Sequence, residues 1–222
     1  MIQFSNLILD RLIAPDYSSL TVCSAPELPE LPNYFGSFFL SNILRSDAAD
    51  ETKSAMIVFL RRLASAVREY RQGREALVEF IALPQGSAPG ITLYLKSLSH
   101  FEYTIVNSYL ALLAHNAIAT TFSIGRAYSS GDGSSAERLG KLYNSFKHYL
   151  LPEIAAPVWL TNEGLRGLYT EKGNSEAKVD LSFTELVQIL HDFEDEARFL
   201  SEDIYRIAAE RKAMAGRDTE QL

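Results

Sequence analysis

The stretch DETKSAMIVFLRRLASAVREYRQGREALVEFIAL, residues 50–83, decides the fold because its apolar side chains repeat with the period of an α-helix. The repeat forms one stripe along the helix, made of Phe59, Leu63, Val67, Tyr70 and Leu77. Such a stripe indicates a helix that packs one face on a core. The internal glycine, Gly73, predicts fraying or a bend, since glycine weakens a helix interior.

A second long helix is predicted from about Ile91 to Tyr128, after the loop LPQGSAPG at residues 83–90. It is apolar nearly all round, which is typical of the central helix of a bundle. No Asp, Glu, Lys or Arg occurs between Glu102 and Arg126, and that length is sufficient to cross a bilayer. The same window contains polar side chains that would be costly in lipid, namely Asn107, Ser108, His115, Asn116, Thr120 and Thr121. We therefore expect a helix buried in protein and no membrane insertion.

Residues 1–49 precede the bundle and are predicted to hold a short helix, from Ile2 to Ala14, and a proline-rich loop over residues 15–35. Within the loop, APELPELPNY has its prolines spaced by three, which suits an extended polyproline segment. Two interpretations stay open for this motif. It is either a stiff connector wrapped over the helical core, which we favour, or a peptide ligand for another protein.

The C-terminal half predicts two more helices and a small β-hairpin. Ser134 with Glu137, and Ser182 with Glu185, each form a capping box at a helix start. The first of these helices should run to about Leu150 and the second to about Met214. Between them, PVWLT and AKVDL are short β-type runs, which predict a hairpin within residues 157–181.

The whole pattern predicts a mainly all-α fold, a bundle of five to six helices with a small hairpin. We expect one domain over residues 1–222, with the bundle itself at 50–214.

Composition narrows the classes of function. The chain has 222 residues, 28 acidic and 21 basic side chains, and a formal charge of −7, so contact with nucleic acid requires a local basic patch. The lone cysteine, Cys23, excludes an internal disulfide framework and favours a reducing, cytoplasmic setting. No Walker loop, GxGxxG or HExxH motif occurs, and we expect neither a metal site nor a cofactor.

The helix predicted over residues 136–151 carries a polar strip that is suited to phosphate chemistry. At about 100° per residue, five of its side chains share an arc of about 120°, namely Arg138, Lys141, Asn144, Ser145 and His148. An imidazole can transfer protons near neutral pH, and flanking cations can hold a phosphate and stabilise its transition-state charge. The alternative interpretation is a solvated helix face that happens to carry a histidine.

Three segments of this region, ERLGKLYNSFKHYLLPE, PVWLTNEGL and LSFTEL, resemble bacterial members of the HEPN superfamily. The resemblance covers roughly residues 90–210 and implies a helical bundle that usually dimerises. Active HEPN proteins are metal-independent ribonucleases of toxin–antitoxin, CRISPR-associated and anti-phage systems. Their motif is an arginine, often followed by a polar residue, then a short spacer and a histidine.

Carried onto this chain, the resemblance implies that His148 is the general acid/base and that Asn144 is the orienting polar residue. Tyr143 occupies the position of the family's arginine. Arg138 and Lys141, on the same face as His148, are then the candidates to hold phosphate.

A second candidate binding surface is basic. Between Lys53 and Arg74 there are six basic residues and one acidic residue, Glu69, and Arg61, Arg68 and Arg71 share one face with Lys53. This band is predicted to hold RNA backbone or an acidic partner, or else it is an ordinary solvated face. The last helix is acidic, with seven carboxylates between Glu185 and Asp203, so we expect it to dock on the basic band within or between subunits.

Two functional classes stay open from the sequence. In the first, the protein binds RNA or cleaves it without a metal, in a bacterial defence or toxin–antitoxin system. In the second, it is a catalytically inactive helical module that self-associates or binds a partner protein. We expect a homodimer, with RNA and a partner protein or antitoxin as the candidate ligands.

Overall fold

The protein is mainly helical and carries a small antiparallel sheet, in a computed structural model that describes residues 4–40, 49–122, 131–148, 157–170 and 176–201. The helices are α1 (Asn6–Leu12), α2 (Tyr34–Phe38), α3 (Asp50–Ile81), α4 (Ala88–Phe122), α5 (Ser135–His148) and α6 (Phe183–Ser201), with a 3₁₀ turn at Tyr17–Ser19. The strands are β1 (Val158–Leu160), β2 (Gly164–Thr170) and β3 (Glu176–Ser182). The predicted helical class with a small β element is therefore confirmed. The predicted helix ends at Tyr128, Leu150 and Met214 lie outside the described residues.

Helices α3 and α4 form an antiparallel pair on which the other elements pack. The two helices approach closely at Gly73, where the Ser97 hydroxyl donates a 2.8 Å hydrogen bond to the Gly73 carbonyl. A Cβ at position 73 would lie 3.1 Å from the Phe101 ring, so the glycine makes room for that ring. Helix α3 continues unbroken through Gly73, and α4 covers the site, so the predicted fraying is wrong, whereas the alternative of a bend stays a prediction.

Two aromatic clusters fill the core around this pair. Tyr17 and Phe80 contact the Tyr94 ring with centroid distances of 4.9 and 5.7 Å. Phe101 lies between Tyr70 and Phe183, at 5.6 and 5.0 Å. Since all six rings are at most 3% exposed, these clusters join the N-terminal segment, the helix pair and α6 into one core.

The sheet has the order β1-β2-β3, with both pairs antiparallel, and so exceeds the predicted hairpin by one strand. The predicted pairing of the PVWLT and AKVDL runs is wrong, because β2 lies between them and pairs with both: Trp159 faces Arg166, and Leu165 faces Leu181. A tight turn makes this possible. The Thr161 N–H donates to the Gly164 carbonyl at 2.8 Å, and its hydroxyl accepts from the Gly164 N–H at 3.1 Å.

Two contacts fix the sheet on the rest of the molecule. The buried Trp159 indole donates a 3.4 Å hydrogen bond to Asp16, which joins β1 to the N-terminal segment. The sheet also packs against α5. Gly167 of β2 allows this close approach, because a Cβ at position 167 would lie 2.7 Å from the Leu142 side chain. The sheet thereby orients α5 and its polar strip.

Within the described residues, no helix combines the length and the hydropathy that a membrane span requires.

The two predicted capping boxes are present with different geometry. At α6, Ser182 and Glu185 bond reciprocally: the Ser182 hydroxyl accepts from the Glu185 N–H at 3.2 Å, and the carboxylate accepts from the Ser182 N–H at 3.0 Å. At α5, the Ser134 hydroxyl accepts from the Glu137 N–H, but the Glu137 carboxylate accepts from the N–H groups of Gly131 and Gly133 instead. The α6 cap is therefore the complete one.

We expect Ser182→Ala to lower the free energy of unfolding by about 1 kcal/mol, because the first turn of α6 loses its hydroxyl acceptor. Urea denaturation followed by circular dichroism measures the change. Ser54→Ala, at an exposed position inside α3, is the matched control and should change stability by no more than about 0.5 kcal/mol. Equal stability of the Ser182→Ala variant and the wild type would contradict the assignment of this cap.

Candidate functional site

The basic band of α3 is exposed at two of its three predicted binding residues. Arg61 and Arg68 are exposed, and Arg71 is half-buried. Arg68 pairs with its neighbour Glu69 at 3.0 Å, whereas Arg61 has no ion pair among the described residues. The band is therefore a real surface of the protein, and at least one of its cations is available to a ligand.

The proline-rich segment at residues 25–33, here called the strap, runs along α3. The Tyr70 hydroxyl donates to the Pro26 carbonyl, and the Arg74 Nε donates to the Ala25 carbonyl, each at 2.9 Å. This is the placement expected of a connector wrapped over the core.

The strap's carboxylates pair with two arginines of α3. Glu27 pairs with Arg74 at 3.0 Å and Glu30 with Arg71 at 3.6 Å, so the strap runs in the opposite direction to α3. Three extended residues span about 9 Å and three helical residues only about 4.5 Å, a difference that the long arginine side chains bridge. Because Glu27 and Glu30 are 84% and 86% exposed, each pair contributes at most about 1 kcal/mol.

A cavity of about 280 Å³ opens between the strap, α2 and α3. Its floor is apolar, with Leu60, Leu63 and Val67 all buried, and its rim carries Arg68 and Arg71. Phe35, 44% exposed, completes the wall from α2. We call this cavity with its rim the α3 groove.

Sequence reasoning missed the aromatic side of the groove. Along α3 no aromatic residue alternates with the arginines, but α2 brings Phe35 and Tyr34 to them from another part of the chain. Helix α2 itself was not predicted, because it has only five residues. The available signal was Asn33, whose side chain accepts from the Gly36 N–H at 3.0 Å as an N-cap.

The acidic helix α6 packs on α3 through Phe193, whose ring centroid is 5.6 Å from that of Phe59, but no carboxylate of α6 pairs with the basic band in the described part of the chain. The α6 carboxylates contact other groups: Glu194 accepts a 3.1 Å hydrogen bond from Tyr34, and Glu185 pairs with Arg138. Since Arg71 and Arg74 pair with the strap, the strap takes the place that α6 was expected to fill. Docking between subunits stays a prediction.

On α5, the two cations predicted to hold phosphate are both paired. Arg138 donates to the Gly133 carbonyl at 2.7 Å and forms an ion pair with Glu185. The Lys141 Nζ atom lies 3.3 Å from Oε1 of Glu137 and 5.1 Å from the centre of the Tyr169 ring. The polar strip therefore belongs partly to the contacts of α5 with α6 and the sheet.

The protonation preferences of these groups agree with the pairing. Partial burial opposes the charge on Glu185, but the Ser182 N–H and hydroxyl and Arg138 together lower the pKa of its carboxyl. Partial burial likewise opposes the charge on Lys141, yet Glu137 and Tyr169 raise the pKa of its ammonium. Glu185 and Lys141 are therefore both charged at neutral pH.

The remaining residues of the strip have mixed environments. Asn144 is exposed, whereas Ser145 is buried and donates to the Lys141 carbonyl at 3.0 Å. Tyr143, at the position of the family's arginine, stacks on Tyr109 of α4 with a centroid distance of 4.4 Å. His148 is the last residue of α5, and its side chain lies outside the described part of the structure.

Glu102, on α4, is the carboxyl most perturbed by its surroundings. Burial raises its pKa to about 7, and no hydrogen bond or ion pair reaches it from the described residues. Groups with such a pKa can act as acid or base near neutrality. No pattern in the sequence indicates the raised pKa of Glu102, since its burial comes from the packing of α4.

Among the described residues, no three His, Cys, Asp or Glu side chains come together as a metal-ligand set. Comparison with protein-family models, curated proteins and solved structures finds no match to this chain.

We expect Glu102→Gln to change the pH dependence of stability. With a folded pKa of about 7 against an ordinary value of 4.5, the folded state holds the proton more tightly than the unfolded state. The wild type should therefore lose stability as the pH rises from 4.5 to 7 and then level off. At pH about 8 the variant should exceed the wild type by about 1–3 kcal/mol.

Urea unfolding of both proteins across this pH range measures the difference. Glu75→Gln, at an exposed position of α3, is the control for loss of a carboxylate. Parallel stability curves for the wild type and Glu102→Gln would show that Glu102 is not a buried acid.

Proposed function

We propose that the protein is a helical interaction module whose α3 groove binds an acidic segment of a partner protein with an apolar anchor side chain. The observation that carries the proposal is the combination of an apolar floor, Leu60, Leu63 and Val67, with the Arg68 and Arg71 rim. Apolar pockets with a few charged groups at the edge are typical of recognition sites.

The strap supports the acidic character of the partner. It is an acidic, leucine- and proline-containing segment, and it already pairs with Arg71 and Arg74 on the same face of α3. Arg61 and Arg68 continue that face, and neither bonds to the strap. A partner segment of similar composition would meet Arg61 and Arg68 next to the strap.

The groove suits a peptide better than a nucleic-acid strand. A phosphate backbone gains little from an apolar floor. An inserted Leu or Phe side chain, by contrast, would contribute about 1.5–3 kcal/mol from burial.

We expect the triple reversal Arg61→Glu, Arg68→Glu, Arg71→Glu to abolish complex formation, because like charges would face an acidic partner. Affinity capture from cell extract with quantitative mass spectrometry measures partner binding. The matched control is Lys96→Glu, at an exposed cation of α4. Partners that survive the triple reversal would contradict the proposal, provided that circular dichroism shows the fold intact.

A second candidate function rests on α5. Arg138, Lys141 and Asn144 share one helix face whose last turn contains His148, the arrangement that the HEPN resemblance implies for RNA cleavage. In this hypothesis His148 is the general acid/base, and Arg138 and Lys141 exchange their carboxylate partners for phosphate when RNA binds. The protein would then act as a dimer, in a defence or toxin–antitoxin system.

If this hypothesis holds, His148→Ala should reduce metal-independent cleavage of single-stranded RNA by at least about 100-fold, the usual contribution of a general acid/base. The assay uses EDTA, so that metal-dependent contaminants are silent. His191→Ala, on the exposed side of α6, is the control. Absence of cleavage by the wild type, or full cleavage by His148→Ala, excludes the catalytic role.

A further inference from the structure

Strand β3 is an outer strand of the three-stranded sheet, because among the described residues it pairs with β2 on one side only. It is seven residues long, contains neither proline nor glycine, and keeps a continuous register with β2 along its whole length. The free edge of such a strand presents a row of backbone N–H and C=O groups. These groups can bond to an added strand.

The pairing with β2 decides which backbone groups of β3 point outward. The Phe183 N–H donates to the Glu163 carbonyl at 2.8 Å, so these two residues form a hydrogen-bonded pair. Hydrogen-bonded and non-hydrogen-bonded pairs alternate along an antiparallel ladder. Val179 therefore bonds to β2, whereas the N–H and C=O groups of Lys178 and Asp180 point away from it. No described residue bonds to these outward groups.

Helix α5 packs on the sheet without covering this edge. Its contacts are centred on β2, where a Cβ at Gly167 would lie 2.7 Å from Leu142, and where the Tyr169 ring centre is 5.1 Å from Nζ of Lys141. A helix with its side chains is about 10 Å wide, and neighbouring strands are about 4.8 Å apart. Helix α5 therefore reaches β3 but not the position of a further strand beside it.

The side chains that flank the open edge carry opposite charges. Lys178 and Asp180 lie on the same face of β3, because they are two residues apart, and both are exposed. Lys178 forms no ion pair within the described part of the chain. Asp180 pairs with Arg166 of β2, yet its side chain is still 61% exposed. A strand that fits this edge must offer an anion opposite Lys178 and a cation opposite Asp180.

A second copy of β3 meets this requirement in one register. When two copies pair antiparallel about a two-fold axis at Val179, Lys178 of each copy lies opposite Asp180 of the other. Because both residues face outward, each of these pairs exchanges two N–H···O bonds. A shift of two residues would set Lys178 opposite Lys178, or Asp180 opposite Asp180, which is unfavourable. A shift of one residue would set outward groups against residues that already bond to β2.

We propose that the β3 edge is the surface through which two copies of the chain associate, joining their sheets into one six-stranded antiparallel sheet. Asp180 would then lie between Arg166 of its own subunit and Lys178 of the other, so that charges of opposite sign alternate across the joined sheet. Because the pairing uses the β3 edge of both copies, assembly stops at the dimer. The β3 edge shares no residue with the α3 groove.

Sedimentation velocity of the full chain from about 1 µM to about 0.5 mM measures the association. We expect a monomer–dimer equilibrium for the wild type. Lys178→Glu and Asp180→Lys should each raise the dimer Kd by about tenfold or more, because each sets like charges opposite one another across the two-fold axis. Lys96→Glu, at an exposed lysine of α4, is the matched control and should leave the Kd unchanged.

Mixing the two charge variants tests the register itself. In an equimolar mixture of Lys178→Glu and Asp180→Lys, each acidic side chain at the edge of one chain faces a lysine of the other, so a mixed dimer should form with nearly the wild-type Kd. A separate variant, Lys178→Pro, tests the backbone pairing. The Lys178 N–H points away from β2, so proline is compatible with the folded edge strand but obstructs an added strand.

The Lys178→Pro variant should therefore keep the circular dichroism spectrum of the wild type and lose the dimer. A wild type that is monomeric over the whole range would overturn the proposal, as would a dimer that both charge reversals leave unchanged. A mixture that associates no better than its components would overturn the register. The triple reversal on α3 should leave this dimer intact, so the outcome is separate from that of the α3 groove.

Discussion

The close approach of α3 and α4 at Gly73 is the constraint on which the rest of the structure depends. The Phe101 ring occupies the space that a side chain at position 73 would take, and this ring also contacts Tyr70 and Phe183. Tyr70 in turn holds the strap through its hydroxyl, and Phe183 begins α6. One missing Cβ thereby fixes the positions of the strap on one side and α6 on the other. The wall that the strap gives to the α3 groove follows from the first of these positions.

Charge in this molecule is mostly compensated locally. The strap's carboxylates pair with Arg71 and Arg74, and the cations of α5 pair with Glu137 and Glu185. A basic band or a polar strip in a sequence is therefore a poor guide to free charge, because the partner carboxylates come from elsewhere in the chain. Within the described structure, Lys53, Arg61 and Arg62 of α3 form no ion pair, and Arg62 donates a 2.9 Å hydrogen bond to Asn107 instead.

The sequence predicted the long helices because their apolar period and capping boxes are local properties. It did not predict the uninterrupted helix at Gly73, the strand β2 or the short helix α2. Gly73 depends on Phe101, β2 pairs with strands on both sides, and α2 is too short to show a period. The same division applies to the candidate sites. Arg68 and Arg71 could be selected from spacing alone, whereas Phe35 and Glu102 acquire their significance from packing.

Trp159 is the only tryptophan of the chain, and it lies buried in β1 with its indole directed at Asp16. The tryptophan fluorescence of the protein, excited selectively over its 11 tyrosines, therefore comes from a single position, the seam between the sheet and the N-terminal segment. Asn162 reinforces that seam by accepting from the Thr21 and Val22 N–H groups at 2.9 and 3.0 Å. A shift in emission on adding a ligand or denaturant thus reports the opening of this seam, and it is silent to changes confined to the far ends of α3 and α4.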